Sequence, residues 1–143
     1  MNGTLEIYKM AIKELLPTPT KSHYLFNLRD FAKVILGICL SDKDKINTTD
    51  VVARLWTHEV WRVFADRLIN EEDRLLMLKT LREVMRKSFG LNFDTIFEHL
   101  DKLDHEGKKD NKIDQLDEIR GLIFTDCMTP MGAPKRFYEE VTD

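Results

Sequence analysis

The sequence lacks the features that mark secreted and membrane proteins. It has two cysteines, Cys39 and Cys127, which lie far apart and form no C-x-x-C pair. No apolar run approaches the roughly 20 residues that a membrane helix needs, and no basic region followed by an apolar run marks a signal peptide at the N-terminus. We therefore expect a soluble intracellular protein, in which Cys39 is a buried thiol in a reducing compartment.

Several kinds of catalytic and metal site are also missing. No G-x-x-x-x-G-K-S/T motif is present to cradle phosphates, and no apolar run ends in the paired acids that hold Mg²⁺. His58 and Glu59 begin an H-E-x-x-H zinc pattern, but Arg62 occupies the position of the second histidine. The acidic stretch from Asp42 lacks the turn glycine of an EF-hand loop, and the stretch from Asp101 lacks the final glutamate. We predict no metal site and no ATP hydrolysis by this chain alone.

The composition indicates one folded domain. The chain has 143 residues, of which 43% are hydrophobic and 33% charged, and this balance is typical of a helical protein with a single core. The net charge of −3 supplies no general attraction to nucleic acid or to acidic membranes. Neither is therefore expected as a partner.

Helical periodicity dominates the chain and predicts an all-α bundle of about five to six helices. No segment alternates polar and apolar residues in the manner of a strand. An exposed loop is predicted at Asp104–Lys112, and a turn or short helix at Lys135–Val141. The predicted helices are Leu5–Leu16, Asn27–Leu40, Thr48–Ile69, Asn70–Gly90, a short one beginning at Asn92 or Asp94, and Ile113–Phe124.

The helix that begins at Asn27 carries the strongest chemical candidate. Asn27 as N-cap and Asp30 three residues later predict a capping box. Arg29 opposes the helix dipole in the first turn, and a nearby anion would offset that cost. A helix N-terminus beside an arginine is a candidate phosphate site. The alternative interpretation is that Arg29 is a solvated residue on the shoulder of the helix.

The helical wheel divides this helix into an apolar and a polar side. We expect the apolar side to face the core and the polar side to face solvent. The apolar side holds Leu28, Phe31, Ala32, Ile35, Ile38 and Cys39, and the polar side holds Arg29, Asp30, Lys33 and Gly37.

The helix predicted at Thr48–Ile69 also has two sides. Asn47 is its predicted N-cap, and the tryptophans Trp56 and Trp61 indicate deep burial. A polar row on the opposite side is predicted to face solvent or a neighbouring module. That row consists of Arg54, His58, Arg62 and Asp66.

Three strings in the chain resemble axonemal dynein heavy chains. S-H-Y-L-F-N-L-R-D-F-A-K-V-I-L-G-I (22–38) is similar to the stretch that opens a helix in the all-helical lid of the third AAA+ module. W-T-H-E-V-W-R-V-F-A-D-R-L (56–68) resembles the next lid helix, and P-K-R-F-Y-E-E-V (134–141) resembles the segment leading into the fourth module. The resemblance implies that residues 1–143 form one helical AAA+ lid, with about 125–143 as connector, inside a much longer motor polypeptide.

The same resemblance implies a function. Arg29 matches the sensor-2 arginine of AAA+ lids, which reaches the phosphates of ATP or ADP held by the large subdomain. The chain would then be a nucleotide-sensing lid and inter-module coupler of a regulatory AAA+ module in an ATP-driven microtubule motor. It would contribute no catalytic residue and would hold no nucleotide in isolation. The alternative is a freestanding helical adaptor whose apolar faces bind partner helices.

The implied surroundings follow from the same family. Within one polypeptide, the partners would be the large AAA+ subdomain and the neighbouring AAA+ module. Microtubules and the dynein intermediate and light chains would be partners of the full-length protein. The expected location is the cytoplasm, the cytoskeleton and the ciliary axoneme.

Overall fold

A computed structural model describes residues 1–42, 46–100, 119 and 121–141 and confirms the predicted all-α bundle. Single 3-10 turns follow α3 and α5, at Ala65–Arg67 and Glu98–Leu100. None of the helices in these ranges combines the length and the apolar character that crossing a membrane requires. The α-helices are α1 (Asn2–Glu14), α2 (Leu28–Cys39), α3 (Thr49–Phe64), α4 (Glu71–Phe89) and α5 (Phe93–Ile96).

Apart from α1, which runs Asn2–Glu14 and not the predicted Leu5–Leu16, the helix ends follow local signals, with two differences from the predictions. The capping box of α2 is present, because the Arg29 backbone N–H donates to Asn27 Oδ1 (2.9 Å) and the Asn27 N–H donates to Asp30 Oδ2 (3.0 Å). Gly90, with φ 69°, adopts the left-handed conformation that ends α4. The predicted cap of α3 was wrong, since the hydroxyl of Thr48 and not Asn47 accepts the N–H of a first-turn residue.

The second difference concerns the end of α3. The α-helix ends at Phe64 and a 3-10 turn carries the chain to Arg67, whereas the sequence predicted continuous helix to Ile69. This tightening directs the Arg67 side chain toward the start of α2, where it pairs with Asp30. The ion pair between Arg67 and Asp30 therefore accompanies the early end of α3 at Phe64.

One hydrophobic core joins all five helices. α2 packs on α3 and α1 packs on α4. Trp56 and Trp61 are buried as predicted, and Trp56 Nε1 donates to the buried Thr4 hydroxyl (2.9 Å), which ties α3 to α1. Burial of these aromatic and aliphatic side chains is the main stabilising contribution to the bundle. The largest fully buried core side chains include Tyr24, Phe64, Phe97, Leu55, Met77, Leu81 and Met85.

Residues 121–141, called here the C-terminal segment, run along the polar row of α3. Arg54 Nε donates to Glu140 Oε2 (2.8 Å), and His58 Nδ1 lies 3.0 Å from the carbonyl oxygen of Leu122. The aromatic ring of Phe124 packs on the His58 ring, with centroids 5.5 Å apart. Arg54 and His58, half of the row predicted to face solvent or another module, are therefore covered by the chain's own C-terminal part, whereas Arg62 and Asp66 are exposed.

The C-terminal segment also corrects two secondary-structure predictions. Two-residue strands, β1 (Phe124–Thr125) and β2 (Glu139–Glu140), pair antiparallel with Phe124 opposite Glu140. The predicted helix Ile113–Phe124 therefore does not reach Phe124, and the predicted turn or helix at Lys135–Val141 contains a strand. Pairing with a distant segment decides strand formation here, which local periodicity cannot report. Most of the Ile113–Phe124 prediction and the whole Asp104–Lys112 loop lie outside the described residues.

Candidate functional site

α2 packs on its neighbours with a side that holds Val34 together with Asp30 and Gly37, two of the residues that the helical wheel assigned to solvent. Asp30, Val34 and Gly37 are buried, whereas Leu28 is 70% exposed and Leu36 64% exposed. The predicted burial was therefore wrong for Asp30, Gly37 and Leu28, whereas Arg29 and Lys33 are exposed as predicted. Phe31, Ile35 and Ile38 are half-buried, and Ala32 and Cys39 are exposed. Cys39 is consequently an accessible free thiol and not the predicted buried one.

Two contacts explain this orientation. Gly37 allows the α2 backbone to approach α3 so closely that an added Cβ would overlap the carboxylate of Glu59. Asp30 faces inward because Arg67, in the 3-10 turn after α3, neutralises it. A wheel counts apolar side chains, but it does not record a missing side chain or an ion pair with a distant residue. The outward leucines of α2 form an exposed apolar strip of the kind that marks an interaction surface.

The Asp30–Arg67 pair holds the first turn of α2. Arg67 Nη2 lies 2.5 Å from Asp30 Oδ1 and Nη1 lies 3.2 Å from Oδ2, a two-pronged contact. The Asp30 side chain is 2% exposed and the Arg67 side chain 30%. Burial alone would raise the pKa of Asp30, but hydrogen bonds from Arg67 and from the Asn27 backbone outweigh it and lower the pKa below its ordinary value. Asp30 is therefore ionised at neutral pH, and the start of α2 is fixed to the end of α3.

Arg29 lies on the exposed side of the turn that this pair immobilises. Its backbone N–H is engaged by Asn27, while its guanidinium has no hydrogen bond or ion pair with any residue that the structure describes. Leu25 and Leu28, its neighbours along the chain, are 65% and 70% exposed. An exposed cation at a helix N-terminus, bordered by exposed leucines, can meet an anion supplied by another part of a larger protein.

The described residues offer little other site chemistry. Among them, no group of three or more His, Cys, Asp or Glu side chains is arranged to hold a metal ion. The surface cavities are open depressions. The one between α3 and the C-terminal segment, about 450 Å³, is lined by residues already paired across it, Arg54 and Glu140 among them. The assignment of Arg29 as the phosphate-contacting residue stays a prediction.

A sequence model of the AAA+ lid domain family matches residues 1–102. The helices α1 to α5 lie within that range. The chain belongs to the AAA+ lid domain family. Its C-terminal segment lies beyond the matched residues.

The whole chain is also similar to segments of axonemal dynein heavy chains. Dynein axonemal heavy chain 12 of Mus musculus is 43% identical over 144 residues, covering 100% of this chain and 4% of that protein. Dynein axonemal heavy chain 3 of Homo sapiens is 38% identical over 143 residues, covering 100% and 3%. Dynein axonemal heavy chain 1 of Mus musculus is 43% identical over 142 residues, covering 99% and 3%. The chain therefore spans 3–4% of the length of these relatives.

Sequence reasoning missed two long-range hydrogen bonds, from Arg67 to Asp30 on α2 and from Tyr138 to Glu59 on α3. Arg67 and Tyr138 carry no local signal, because their partners lie 37 and 79 residues away in the chain. Gly37 did carry one: a glycine inside a helix costs about 1 kcal/mol relative to alanine, and it often marks a close packing contact. Taking that signal would have placed Gly37 on the inner side of α2.

Proposed function

We propose that this lid senses nucleotide and couples modules in a regulatory AAA+ module of an axonemal dynein heavy chain, the third module by its resemblance. Arg29 acts as the sensor-2 residue and contacts the phosphates of ATP or ADP held by the large subdomain. The family membership and the full-length similarity to axonemal heavy chains support this role. The chain supplies no catalytic group in this scheme, because the phosphate cradle and the Mg²⁺ ligands belong to the large subdomain.

The observation that carries the proposal is the geometry of the first turn of α2. Arg29 is exposed, and its guanidinium has no partner among the described residues, yet its backbone is held by the capping box and by the buried Asp30–Arg67 pair. A cation on a fixed turn loses little further backbone freedom when it binds an anion, which favours affinity. Exposed Leu25 and Leu28 supply apolar area beside it for contact with the large subdomain.

The rest of the proposal concerns the surroundings of the lid. Residues 1–143 act as one lid unit, with about 125–143 leading toward the next AAA+ module, which is its second partner within the same polypeptide. Through the full-length protein the lid would serve a microtubule motor with intermediate and light chains, in the cytoplasm, the cytoskeleton and the ciliary axoneme. The similarity to axonemal heavy chains supports this assignment.

The experiment substitutes Arg29 in the heavy-chain motor domain and measures binding of a fluorescent ATP analogue to that module. A hydrogen bond to a charged group contributes about 1.5–3 kcal/mol, so Arg29→Ala should weaken binding by roughly 10- to 100-fold. Arg29→Lys should retain part of the affinity, since it keeps the charge and loses the planar fork. Arg86→Ala is the matched control, because Arg86 is also an exposed helical arginine and lies on α4.

Two readings decide the outcome. Unchanged affinity and unchanged nucleotide-dependent motility in Arg29→Ala, with the motor domain folded, would refute the sensor role. An equal loss of affinity in Arg86→Ala would show that the effect comes from net charge and not from the position of Arg29.

The exposed apolar strip of α2 also fits a freestanding adaptor that binds partner helices. Leu36 and Leu40, 64% and 68% exposed, would form its docking face. The length of the native transcript separates the two functions. An open reading frame that ends near Asp143 supports the adaptor, and one that encodes a heavy chain of several thousand residues supports the motor lid.

A further inference from the structure

Glu59 is a fully buried carboxylate where α2, α3 and the C-terminal segment meet. Its side chain is 0% exposed, although glutamate is among the residues least often buried. A buried charge is costly unless it is paired and hydrogen-bonded. The groups that surround Glu59 therefore determine whether this arrangement is stable.

Each oxygen of Glu59 has one close donor. Arg62, one turn later on α3, donates from Nη2 to Oε2 at 2.7 Å, and Tyr138 of the C-terminal segment donates its hydroxyl to Oε1 at 2.6 Å. Burial, followed by the hydrogen bond to Glu59, raises the pKa of Tyr138, so the phenol stays protonated and remains a donor. The carboxylate thus links α3 to the C-terminal segment.

The third side of Glu59 is covered by α2. Gly37 leaves just enough room for the carboxylate, which an added Cβ would overlap. A movement of α2 away from α3 would open this side to water. Once water solvates the carboxylate, the hydroxyl of Tyr138 competes with water for Oε1 and loses most of its net contribution.

The C-terminal segment also makes polar contacts with α3, with His99 and with the turn after α2. Arg54 and His58 on α3 contact Glu140 and the Leu122 carbonyl, and Lys135 pairs with Asp42 in the turn after α2. Glu59 is therefore the place where the packing of α2 and the docking of the C-terminal segment share one side chain.

We propose that Glu59 is a positioning residue that couples the packing of α2 against α3 to the docking of the C-terminal segment through Tyr138. Displacement of α2 hydrates Glu59 and releases Tyr138, and release of Tyr138 loosens α2 by the same amount, because coupling between two sites is reciprocal. The coupling itself does not depend on the proposed function, but its use in the motor rests on it. Because α2 carries Arg29, nucleotide contact at Arg29 would be transmitted to the chain that leads out of the lid.

The test is hydrogen–deuterium exchange on the nucleotide-free heavy-chain motor domain, followed in peptides from α2, α4 and residues 121–141. Tyr138→Phe removes only the hydroxyl and should speed exchange about tenfold in the C-terminal segment and measurably in α2, with α4 unchanged. Tyr8→Phe is the matched control. The Tyr8 ring packs edge-on against Phe31, and its hydroxyl has no hydrogen bond to a described residue, so exchange should not change.

Gly37→Ala tests the coupling from the other side. The added methyl group pushes against Glu59 and should speed exchange in residues 121–141, which Gly37 itself is not part of. In the Gly37→Ala/Tyr138→Phe double variant the two effects should not add, because both break the same link. Additive effects, or an equal rise in α4, would overturn the proposal in favour of general destabilisation.

Tyr138→Phe alone is sufficient if Gly37→Ala fails to fold. Faster exchange confined to residues 121–141, with α2 unaffected, would then overturn the coupling. Because no nucleotide is present and Arg29 is intact, this result is independent of the sensor experiment. Weakened nucleotide binding in Arg29→Ala together with no coupled change in hydrogen exchange would refute the coupling and leave the sensor role standing. Unchanged nucleotide binding together with coupled exchange would refute the sensor role and leave the coupling standing.

Discussion

Removal of the Arg67 side chain should destabilise the lid by more than its partial exposure suggests. In Arg67→Ala, the nearly fully buried Asp30 loses the two-pronged contact that neutralises it. What remains is the Asn27 backbone N–H at 3.0 Å and the ammonium group of Lys33 at 3.5 Å. The variant therefore leaves a buried charge with only part of its original set of donors.

The magnitude follows from the burial of each partner. Breaking a buried ion pair from one side costs about 3–5 kcal/mol. Arg67 is 30% exposed, so solvent already screens part of this interaction, and Asp30 keeps one backbone donor. Loss of the guanidinium from the face of Phe26, whose ring centre lies 5.7 Å away, adds a smaller amount. We expect the free energy of unfolding to fall by about 2–3 kcal/mol.

Urea unfolding of the 143-residue chain, followed by the fluorescence of Trp56 and Trp61, measures this change. The double variant Asp30→Asn/Arg67→Ala should be no less stable than Arg67→Ala, because the asparagine removes the stranded charge. Lys33→Ala is the control. Lys33 is 57% exposed and its ammonium group lies 3.5 Å from Asp30 Oδ1, so Lys33→Ala should lower the free energy of unfolding by less than about 0.5 kcal/mol.

Acid pH gives a second reading of the same prediction. The pKa of Asp30 is lowered in the folded lid, so its stabilising contribution is complete above the ordinary value of 3.8 and is lost as pH falls through the folded pKa. The gap between wild type and Arg67→Ala should close over that range. Two results would refute the reasoning. One is a loss of unfolding free energy in the double variant that equals the sum of the losses in the two single variants. The other is a difference in stability between wild type and Arg67→Ala that does not depend on pH.

Two further predictions concern other buried polar groups. Burial lowers the pKa of His58, so the contribution of the neutral imidazole to the free energy of unfolding should be complete above pH 6.5 and should be lost as pH falls through the folded pKa. His58→Gln should flatten that part of the plot of unfolding free energy against pH, measured by urea unfolding. An unaltered plot would contradict the assignment. Tyr24→Phe removes a hydroxyl that accepts the Ile69 N–H and donates to Asp73, both at 2.9 Å, and should cost about 1–3 kcal/mol in the same assay. Tyr8→Phe should cost far less, and equal losses in the two variants would exclude the hydrogen bonds as the cause.

Features set by neighbouring residues were predictable from the sequence. The capping box of Asn27 and Asp30 and the left-handed Gly90 depend on contacts within one turn of backbone, and both were placed correctly. The burial of Trp56 followed from its apolar neighbours at helical spacing. The exposed position of Arg29 in the first turn of α2 was of the same kind, although its role in nucleotide sensing stays a prediction.

The sequence by itself determined the helical type of α1–α5 and the two ends of α2 and α4, because caps, glycines and apolar spacing act over a few residues. Only the tertiary structure decided which side of α2 faces the core. Gly37 and Asp30 turn inward because Glu59 and Arg67, which lie 22 and 37 residues further along the chain, occupy the space and supply the charge that they need. Close approach and buried ion pairing depend on distant partners, so the spacing of apolar residues along the helix does not contain them.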